Sequence, residues 1–175
     1  MNLKSRIRTI PNYPKNGIMY RDITTLLSDH KAFTKAIDLM ADRYVGVQID
    51  KIAAIEARGF IFGAPIAHKL KTALVPIRKK GKLPFKTITH EYELEYGTDS
   101  IEMHIDGILK GDTVVLVDDL LATGGTAEAS IRLVEKSGGI IHECCFLVDL
   151  PDVGGKKRLR DLGHSVFSLC EFDGD

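Results

Sequence analysis

The stretch TVVLVDDLLATGGT, residues 113–126, decides both the fold and the candidate site of this chain. It begins with a run of branched apolar residues, which predicts a buried strand over 113–117. Asp118 and Asp119 follow directly, so two carboxylates are expected at the carboxyl end of that strand. A turn of small residues comes next, and apolar residues at helical spacing then predict a helix over 126–137. The stretch therefore predicts a strand, a tight turn and a helix in direct succession.

The turn has the properties of a phosphate-binding loop. Small residues let backbone N–H groups converge, and the helix dipole favours an anion at the start of the helix. Carboxylates repel phosphate but accept hydrogen bonds from ribose hydroxyls, which favours a ribose phosphate as the ligand. The alternative is an ordinary tight turn with solvated aspartates. Neither G-x-x-x-x-G-K-S/T nor G-x-G-x-x-G occurs here, so two common nucleotide loops are excluded. The candidate residues are Asp118, Asp119, Ala122, Thr123, Gly124, Gly125 and Thr126.

Strands and helices alternate along the rest of the chain. Such alternation is typical of βαβ units, so we expect an α/β fold with a mostly parallel central sheet flanked by helices. Ligands of such folds bind at the carboxyl ends of the strands. The chain of 175 residues is expected to form a single domain, residues 1–175. The predicted strands are 51–55, 73–77, 113–117, 140–148 and 165–170, and the predicted helices are 30–44, 59–70, 126–137 and 155–162.

One segment departs from the alternation and predicts a β-hairpin. Tyr92, Leu94 and Tyr96 alternate with glutamates, and apolar residues resume at every second position from Ile101. We therefore expect a hairpin over 88–106 that projects from the core, with its turn at 97–99 and the loop KKGKLPFKT before it. The glutamates Glu91, Glu93 and Glu95 fall on one face, for which a solvated surface is the simplest explanation.

Composition narrows the class of protein. Lys plus Arg and Asp plus Glu both number 24, so the chain lacks the basic excess of nucleic-acid-binding proteins. No apolar run reaches the roughly 18 residues of a membrane span, and the chain starts without an apolar leader segment. The three cysteines lack metal-binding spacing and are odd in number, which favours a reducing compartment. We expect a cytoplasmic protein with no nucleic-acid or membrane partner.

The phosphate-loop stretch resembles the phosphoribosyl pyrophosphate (PRPP) motif of type I phosphoribosyltransferases, in which a hydrophobic strand, two acidic residues and T-G-G-T follow one another. Residues 12–27, NYPKNGIMYRDITTLL, resemble the base-binding segment of adenine phosphoribosyltransferases, F-P-x-x-G-I-x-F-R-D-I-T-P-L-L. Tyr20 replaces the usual Phe and Thr25 the usual Pro. The resemblance runs from about Ile7 to Leu169 and implies the type I fold, with an amino-terminal base-binding segment (1–28) and a hairpin lid (79–106).

The resemblance also implies which residues meet the base. Adenine is expected at the backbone of Met19 and Arg21, between the ring of Tyr20 and the side chain of Leu120. From the residues alone, Tyr20 is as well explained as a core aromatic, and Leu120 as a side chain buried beneath the loop.

Two further segments resemble the pyrophosphate site and the lid of the same family. EARGFIFGAPIA, residues 56–67, implies that Arg58 and Gly59 meet pyrophosphate and that the Glu56–Ala57 peptide is cis; the alternative for Arg58 is a surface arginine. The segment 78–99 implies a lid whose tip carries the catalytic Glu95 beside Tyr96. The resemblance implies that its basic residues meet pyrophosphate, either within one chain or across a dimer interface, and they are Arg78, Lys79 and Lys82.

Together these resemblances imply a homodimeric purine-salvage enzyme that makes AMP and pyrophosphate from adenine and PRPP. Mg²⁺ is expected as cofactor, held mainly through PRPP and water. Three alternatives stay open from the sequence: a phosphoribosyltransferase for another base, a non-catalytic PRPP sensor, and a general nucleotide-binding α/β domain.

Overall fold

The computed structural model describes residues 1–94 and 97–174. The predicted alternation is present, because strands and helices follow one another from residue 51 to the carboxyl end. The elements of this part are β3 (Lys51–Ile55), α3 (Arg58–Leu70), β4 (Ala73–Lys79), β5 (Thr87–Leu94), β6 (Gly97–His104), β7 (Thr113–Leu121), α4 (Gly125–Lys136), β8 (Ile140–Asp149), α5 (Gly155–Asp161) and β9 (Val166–Glu171).

These strands form one seven-stranded sheet in the order β5-β6-β4-β3-β7-β8-β9. The five strands from β4 to β9 in that order are parallel, whereas β5 and β6 are antiparallel to their neighbours. Apolar side chains cover both faces of the sheet, with Phe62 and Ile66 of α3 on one side and Ile131 and Leu133 of α4 on the other. The α/β class and the mostly parallel sheet are confirmed.

The amino-terminal segment has more structure than its sequence pattern predicted. β1 (Arg8–Pro11) and β2 (Met19–Asp22) pair as a separate two-stranded antiparallel sheet, and α1 (Thr24–Leu27) and α2 (His30–Asp42) follow. The Arg8 guanidinium pairs with the Asp22 carboxylate and lowers the pKa of that carboxyl to about 2. The predicted helix over 30–44 is present as α2, which begins after Asp29, whose carboxylate caps the first turn.

The hairpin is present, but its predicted turn at 97–99 is wrong. Gly97, Thr98 and Asp99 lie in β6, where they pair with Leu94, Glu93 and Tyr92 of β5. Gly and Asp favour turns locally, yet cross-strand pairing determines the register here. The hairpin joins the main sheet at only two positions of β4, Arg78 and Lys79, and the rest extends beyond that strand. Glu95 and Tyr96 lie outside the described residues.

The strand that carries the two aspartates is longer than predicted. β7 runs to Leu121 rather than to residue 117, so Asp118 and Asp119 lie within the strand, in the part that still pairs with β8. Consecutive side chains of a strand point to opposite faces, and the two carboxylates therefore leave β7 in different directions. Within the described ranges, no helix is both long and apolar enough to cross a bilayer.

Candidate active site

The turn between β7 and α4 encloses a small polar cavity at the carboxyl end of the sheet. The cavity measures about 100 Å³ and is lined by residues 120–127, with Asp118 and Phe146 beneath them. Gly124 has a φ of +81°, a conformation that favours glycine, and α4 begins at the next residue. The five predicted loop residues are thus brought together at the amino end of a helix, where an anion is favoured. They are Ala122, Thr123, Gly124, Gly125 and Thr126.

The two aspartates form a tightly interacting pair below this loop. Burial and the neighbouring charge of Asp119 raise the pKa of the Asp118 carboxyl well above its usual range. Burial also raises the pKa of Asp119, although the Arg58 guanidinium opposes that shift. At neutral pH the site therefore holds negative charge at an energetic cost, which hydrogen-bond donors from a ligand would reduce.

Arg58 joins three parts of the chain at this point. Its Nε atom lies 2.7 Å from Oδ2 of Asp119, and its Nη1 atom donates a hydrogen bond of 2.7 Å to the Tyr20 hydroxyl. Strand β2, the start of α3 and the end of β7 consequently meet around one guanidinium. Tyr20 is half-buried at this junction and is not an ordinary core aromatic.

Gly59 allows α3 to approach β7 closely. A Cβ atom at this position would lie 2.9 Å from the Val117 carbonyl oxygen and 3.0 Å from Oδ1 of Asp118. Since real Cβ atoms do not come so close, a side chain here would push the Arg58 end of α3 away from the aspartates. The preceding Glu56–Ala57 peptide is cis, as the resemblance implied.

The other predicted base-binding residues lie at the same edge. Met19 and Arg21 are on β2 to either side of Tyr20, with Met19 exposed and Arg21 half-buried. Leu120 lies on β7, half-buried, and lines the cavity of the loop. The structure therefore brings these residues to the mouth of the site, with β2 on one side and β7 on the other.

The three predicted cations of the lid approach divide into two groups. Arg78 Nε lies 2.8 Å from one carboxylate oxygen of Glu56, and Lys82 Nζ lies 2.6 Å from the other. Burial opposes the charged form of Glu56, but Lys82 and Arg78 hold the pKa of that carboxyl below its usual value. This pairing keeps both cations beside the segment that leads into α3, two residues before Arg58.

Lys79 lies elsewhere, because side chains alternate along β4. It forms an ion pair with Asp99 and approaches the Tyr92 hydroxyl at 3.3 Å. That hydroxyl in turn lies 3.3 Å from Oγ1 of Thr126, so Lys79 is connected to the phosphate loop rather than to Glu56. Tyr92, on the hairpin, is a contact residue that the sequence pattern did not single out.

Two residues of α5 that were not predicted, Gly155 and Arg158, also lie against the loop. The Gly155 N–H donates to the Ala122 carbonyl at 2.9 Å, and Arg158 on α5 donates from Nε to Glu128 at 2.7 Å. The Nη1 atom of Arg158 would lie 3.8 Å from a Cβ atom placed on Gly125. The run KKR at 156–158 matches no loop motif, so only the folded chain reveals this guanidinium beside the phosphate loop.

The carboxylates present suit a magnesium ion that a ligand brings with it. Within residues 1–94 and 97–174, no group of three or more His, Cys, Asp or Glu side chains is placed to hold a metal by itself. Mg²⁺ retains several waters and commonly combines one or two carboxylates with substrate phosphates. Asp118 and Asp119, next to a phosphate loop, match that limited requirement.

The fold and the loop define the class of protein. A family model described as a phosphoribosyl transferase domain matches residues 22–170, which include the aspartate pair, the loop and Arg58. Similarity extends over the whole chain in the adenine phosphoribosyltransferase of Nitrosomonas europaea, which is 57% identical over 173 residues, 99% of each chain.

Solved structures agree with this assignment. The adenine phosphoribosyltransferase of Thermoanaerobacter pseudethanolicus has a TM-score of 0.92 and 52% identity, and covers 97% of this chain and 98% of its own. The enzyme of Saccharomyces cerevisiae, solved with an imino-altritol bisphosphate and adenine, has a TM-score of 0.89 and 36% identity, with 96% of both chains covered. The chain belongs to the adenine phosphoribosyltransferase family.

Proposed function

We propose that this protein transfers the 5-phosphoribosyl group of PRPP to N9 of adenine, giving AMP and pyrophosphate in purine salvage. The observation that carries the proposal is the junction at Arg58, which contacts Tyr20 on one side and Asp119 on the other. A base beside Tyr20, a ribose at the aspartates and a phosphate on the loop would then be neighbours, in the order in which these groups occur in AMP. The yeast relative was solved with adenine and a bisphosphate, which supports a base and a phosphorylated sugar analogue as the kinds of ligand.

The reaction needs charge stabilisation more than covalent chemistry. Adenine N9 forms a bond to ribose C1 as the bond from C1 to the pyrophosphate oxygen breaks, so negative charge develops on the leaving group. Arg58, Arg78 and Lys82 are the cations proposed to receive that charge, with Gly59 allowing close approach. Bound Mg²⁺ would neutralise part of the diphosphate charge, near Asp118 and Asp119. Lys79 is proposed to act at the phosphate-loop side, through Tyr92 and Thr126.

Two parts of the chain are proposed to complete the site. The backbone of Met19 and Arg21 selects adenine, because adenine presents a donor at C6 and an acceptor at N1, opposite to hypoxanthine. Leu120 packs on the face of the base opposite Tyr20. The lid, residues 79–106, brings Glu95 to the purine ring to accept the proton that the ring loses, and Tyr96 covers the site beside it.

The decisive experiment offers the purified protein PRPP and Mg²⁺ with four bases in parallel: adenine, hypoxanthine, guanine and uracil. We expect AMP from adenine and at least about a hundredfold lower kcat/KM for the other bases, the discrimination that unpaired polar groups impose. Comparable use of hypoxanthine would contradict the base assignment. Protection from thermal unfolding by PRPP, with no turnover of any base, would instead identify a PRPP sensor.

The assembly and the compartment are part of the same proposal. We propose that residues 1–175 act as one catalytic domain in a cytoplasmic homodimer. The three cysteines are unpaired and buried, as in proteins of reducing compartments. Light scattering tests the assembly, with an expected mass near twice the 19.3 kDa of the chain. A mass equal to that of one chain would contradict the dimer.

A further inference from the structure

Strand β2 is not part of the central sheet, so among the described residues no backbone pairing joins it to the strand that carries the aspartates. Its described hydrogen-bonded partner in sheet pairing is β1, and the two strands form a sheet separate from the seven-stranded one. The position of β2 relative to Asp118 and Asp119 therefore depends on side-chain contacts and on the buried Ile23 that follows the strand. Tyr20 supplies one such contact through Arg58, and Arg21 supplies another on the opposite face of the strand.

The Arg21 side chain is anchored on the carboxyl-terminal segment. Its guanidinium carbon lies 4.6 Å from the centre of the Phe172 ring, within the range of a cation–π contact. Nη2 donates to the Asp173 carbonyl at 3.0 Å, and Nη1 donates to the Thr9 hydroxyl at 2.7 Å. The Nε atom is buried and has no hydrogen-bond partner among the described residues. The contact with the Phe172 ring is therefore a major favourable interaction of the guanidinium on that side.

Phe172 is held firmly and contacts a second cation. The residue follows β9 directly, is only 7% exposed, and donates from its N–H to the Asp149 carbonyl at 3.1 Å. Lys4 Nζ, close to the start of β1, lies 4.9 Å from the same ring centre. One ring attached to the main sheet therefore contacts cations from both sides of the β1–β2 unit: Lys4 before β1 and Arg21 within β2.

We infer that Phe172 is a positioning residue for base recognition, which acts through Arg21 and Lys4 on the strand that contacts adenine. The inference rests on the proposed function, since it assigns adenine selection to β2. A flat aromatic face fixes a planar guanidinium in orientation as well as in place. If that face is lost, β2 shifts relative to the aspartates, and the base is affected while the phosphate loop on β7 and α4 is not.

The chain provides a matched control for the test. The Arg43 guanidinium lies 4.3 Å from the centre of the Phe167 ring, which makes a second arginine–phenylalanine contact, with its ring on β9 itself. Arg43 pairs with Glu143 near the start of β8, at the end of the sheet away from the candidate site. Phe167→Leu therefore removes a similar contact without affecting β2.

The experiment compares Phe172→Leu, Phe172→Tyr and Phe167→Leu with the unmodified protein, by steady-state kinetics in adenine and in PRPP and by thermal melting. Leucine retains apolar burial but removes the ring face, and we expect the KM for adenine to rise about tenfold while the KM for PRPP changes less than about twofold. Tyrosine retains the face and is expected to keep the adenine KM near that of the unmodified protein. Phe167→Leu should lower the melting temperature and leave both KM values unchanged.

Each outcome separates the inference from the proposed function. An unchanged adenine KM in Phe172→Leu, an equal rise in both KM values, or the same rise in Phe167→Leu would overturn the positioning role. If Phe172→Leu fails to fold, Arg21→Lys decides, since it retains the charge, loses the planar stack and is expected to raise the adenine KM selectively; an unchanged adenine KM in Arg21→Lys would then overturn the positioning role. Absence of AMP formation by the unmodified protein would overturn the proposed function itself.

Discussion

Asp118 and Asp119 form a site in which function and stability oppose each other. Burial and mutual repulsion raise the pKa of Asp118, so keeping it ionised costs the folded state free energy. The same ionised carboxylates are the groups suited to ribose hydroxyls and to a hydrated Mg²⁺. A residue retained at such a cost is typical of functional sites.

The opposition gives a prediction for Asp118→Asn. When the pKa of a carboxyl is higher in the folded than in the unfolded protein, the folded state loses stability as the pH rises through the pKa of the unfolded chain. Below that pH the carboxyl is protonated in both the folded and the unfolded state, and it has no effect on stability. We expect the variant to melt several degrees above the unmodified protein at pH 7 and at the same temperature near pH 3, below the unfolded pKa of about 3.9. The KM for PRPP is expected to rise about tenfold, because a charged acceptor is lost. A lower melting temperature at pH 7 would contradict the raised pKa.

Asp119→Asn is the natural comparison, because it removes the carboxylate that pairs with Arg58 at 2.7 Å. It is expected to gain less stability than Asp118→Asn, since the lost ion pair offsets the relief of repulsion. The double variant should fold and use PRPP poorly. Unchanged kinetics in the double variant would leave both aspartates with a structural role only.

A second prediction at the residue scale concerns the lid carboxylates. Glu91 and Glu93 are exposed on β5, whereas Glu95 is the residue proposed to accept the proton. We expect Glu95→Ala to lower kcat about 10²- to 10⁴-fold with little change in either KM, the contribution of a general acid or base. Glu91→Ala and Glu93→Ala serve as controls and should behave like the unmodified protein. Pre-steady-state AMP formation isolates the chemical step, and equal rates in all three variants would refute the role of Glu95.

At the scale of elements, α5 determines the position of the phosphate loop. A Cβ atom on Gly155 would overlap the Ala122 carbonyl oxygen and would lie 2.9 Å from the Gly124 nitrogen. Gly155→Ala must therefore displace the loop, and we expect kcat/KM for PRPP to fall about 10- to 100-fold. Gly139→Ala is the control, because its Cβ would lie 2.7 Å from Ile108 Cγ2, remote from the loop. A similar kinetic loss in both variants would mean that general destabilisation, and not loop position, is responsible.

The elements also indicate what a sequence can predict. Strand and helix periodicity located the main elements to within a few residues, because buried apolar runs such as that of β7 leave few alternatives. The hairpin turn was misplaced, since its register depends on pairing between strands. The loop residues and Arg58 were identified from short motifs. By contrast, Tyr92 and Arg158 approach the phosphate loop from distant parts of the chain, and Phe172 contacts Arg21 from the carboxyl-terminal segment. None of the three has a local signature, so their roles depend on tertiary packing.

At the scale of the whole molecule, the reactivity of the three cysteines can be used to follow unfolding of the central sheet. Cys144 and Cys145 are fully buried on β8, and burial raises the pKa of each thiol to about 12. Strand β8 is paired on both sides, whereas β9, which carries Cys170, is an edge strand that pairs with β8 alone in the part of the chain that the structure describes. The thiolate is the reactive form, so labelling requires exposure first. Cys170 should therefore become accessible through local opening, and the other two only through global unfolding.

This difference leads to a prediction about ligand binding. PRPP is proposed to bind the loop after β7, the neighbour of β8, and only in the folded state. A ligand at about 100 times its Kd stabilises that state by about 2.7 kcal/mol, which corresponds to about a hundredfold lower population of the unfolded chain. We expect PRPP with Mg²⁺ to slow labelling of Cys144 and Cys145 by that factor and that of Cys170 by much less, as measured by mass spectrometry of peptides after timed exposure to a thiol reagent.

The Cys170→Ala variant serves as control, since labelling of Cys144 and Cys145 should be unaffected by it. Labelling of Cys144 and Cys145 that is fast in the absence of denaturant, or insensitive to PRPP, would show that β8 opens independently of the loop and that the sheet does not unfold as one unit around the bound ligand.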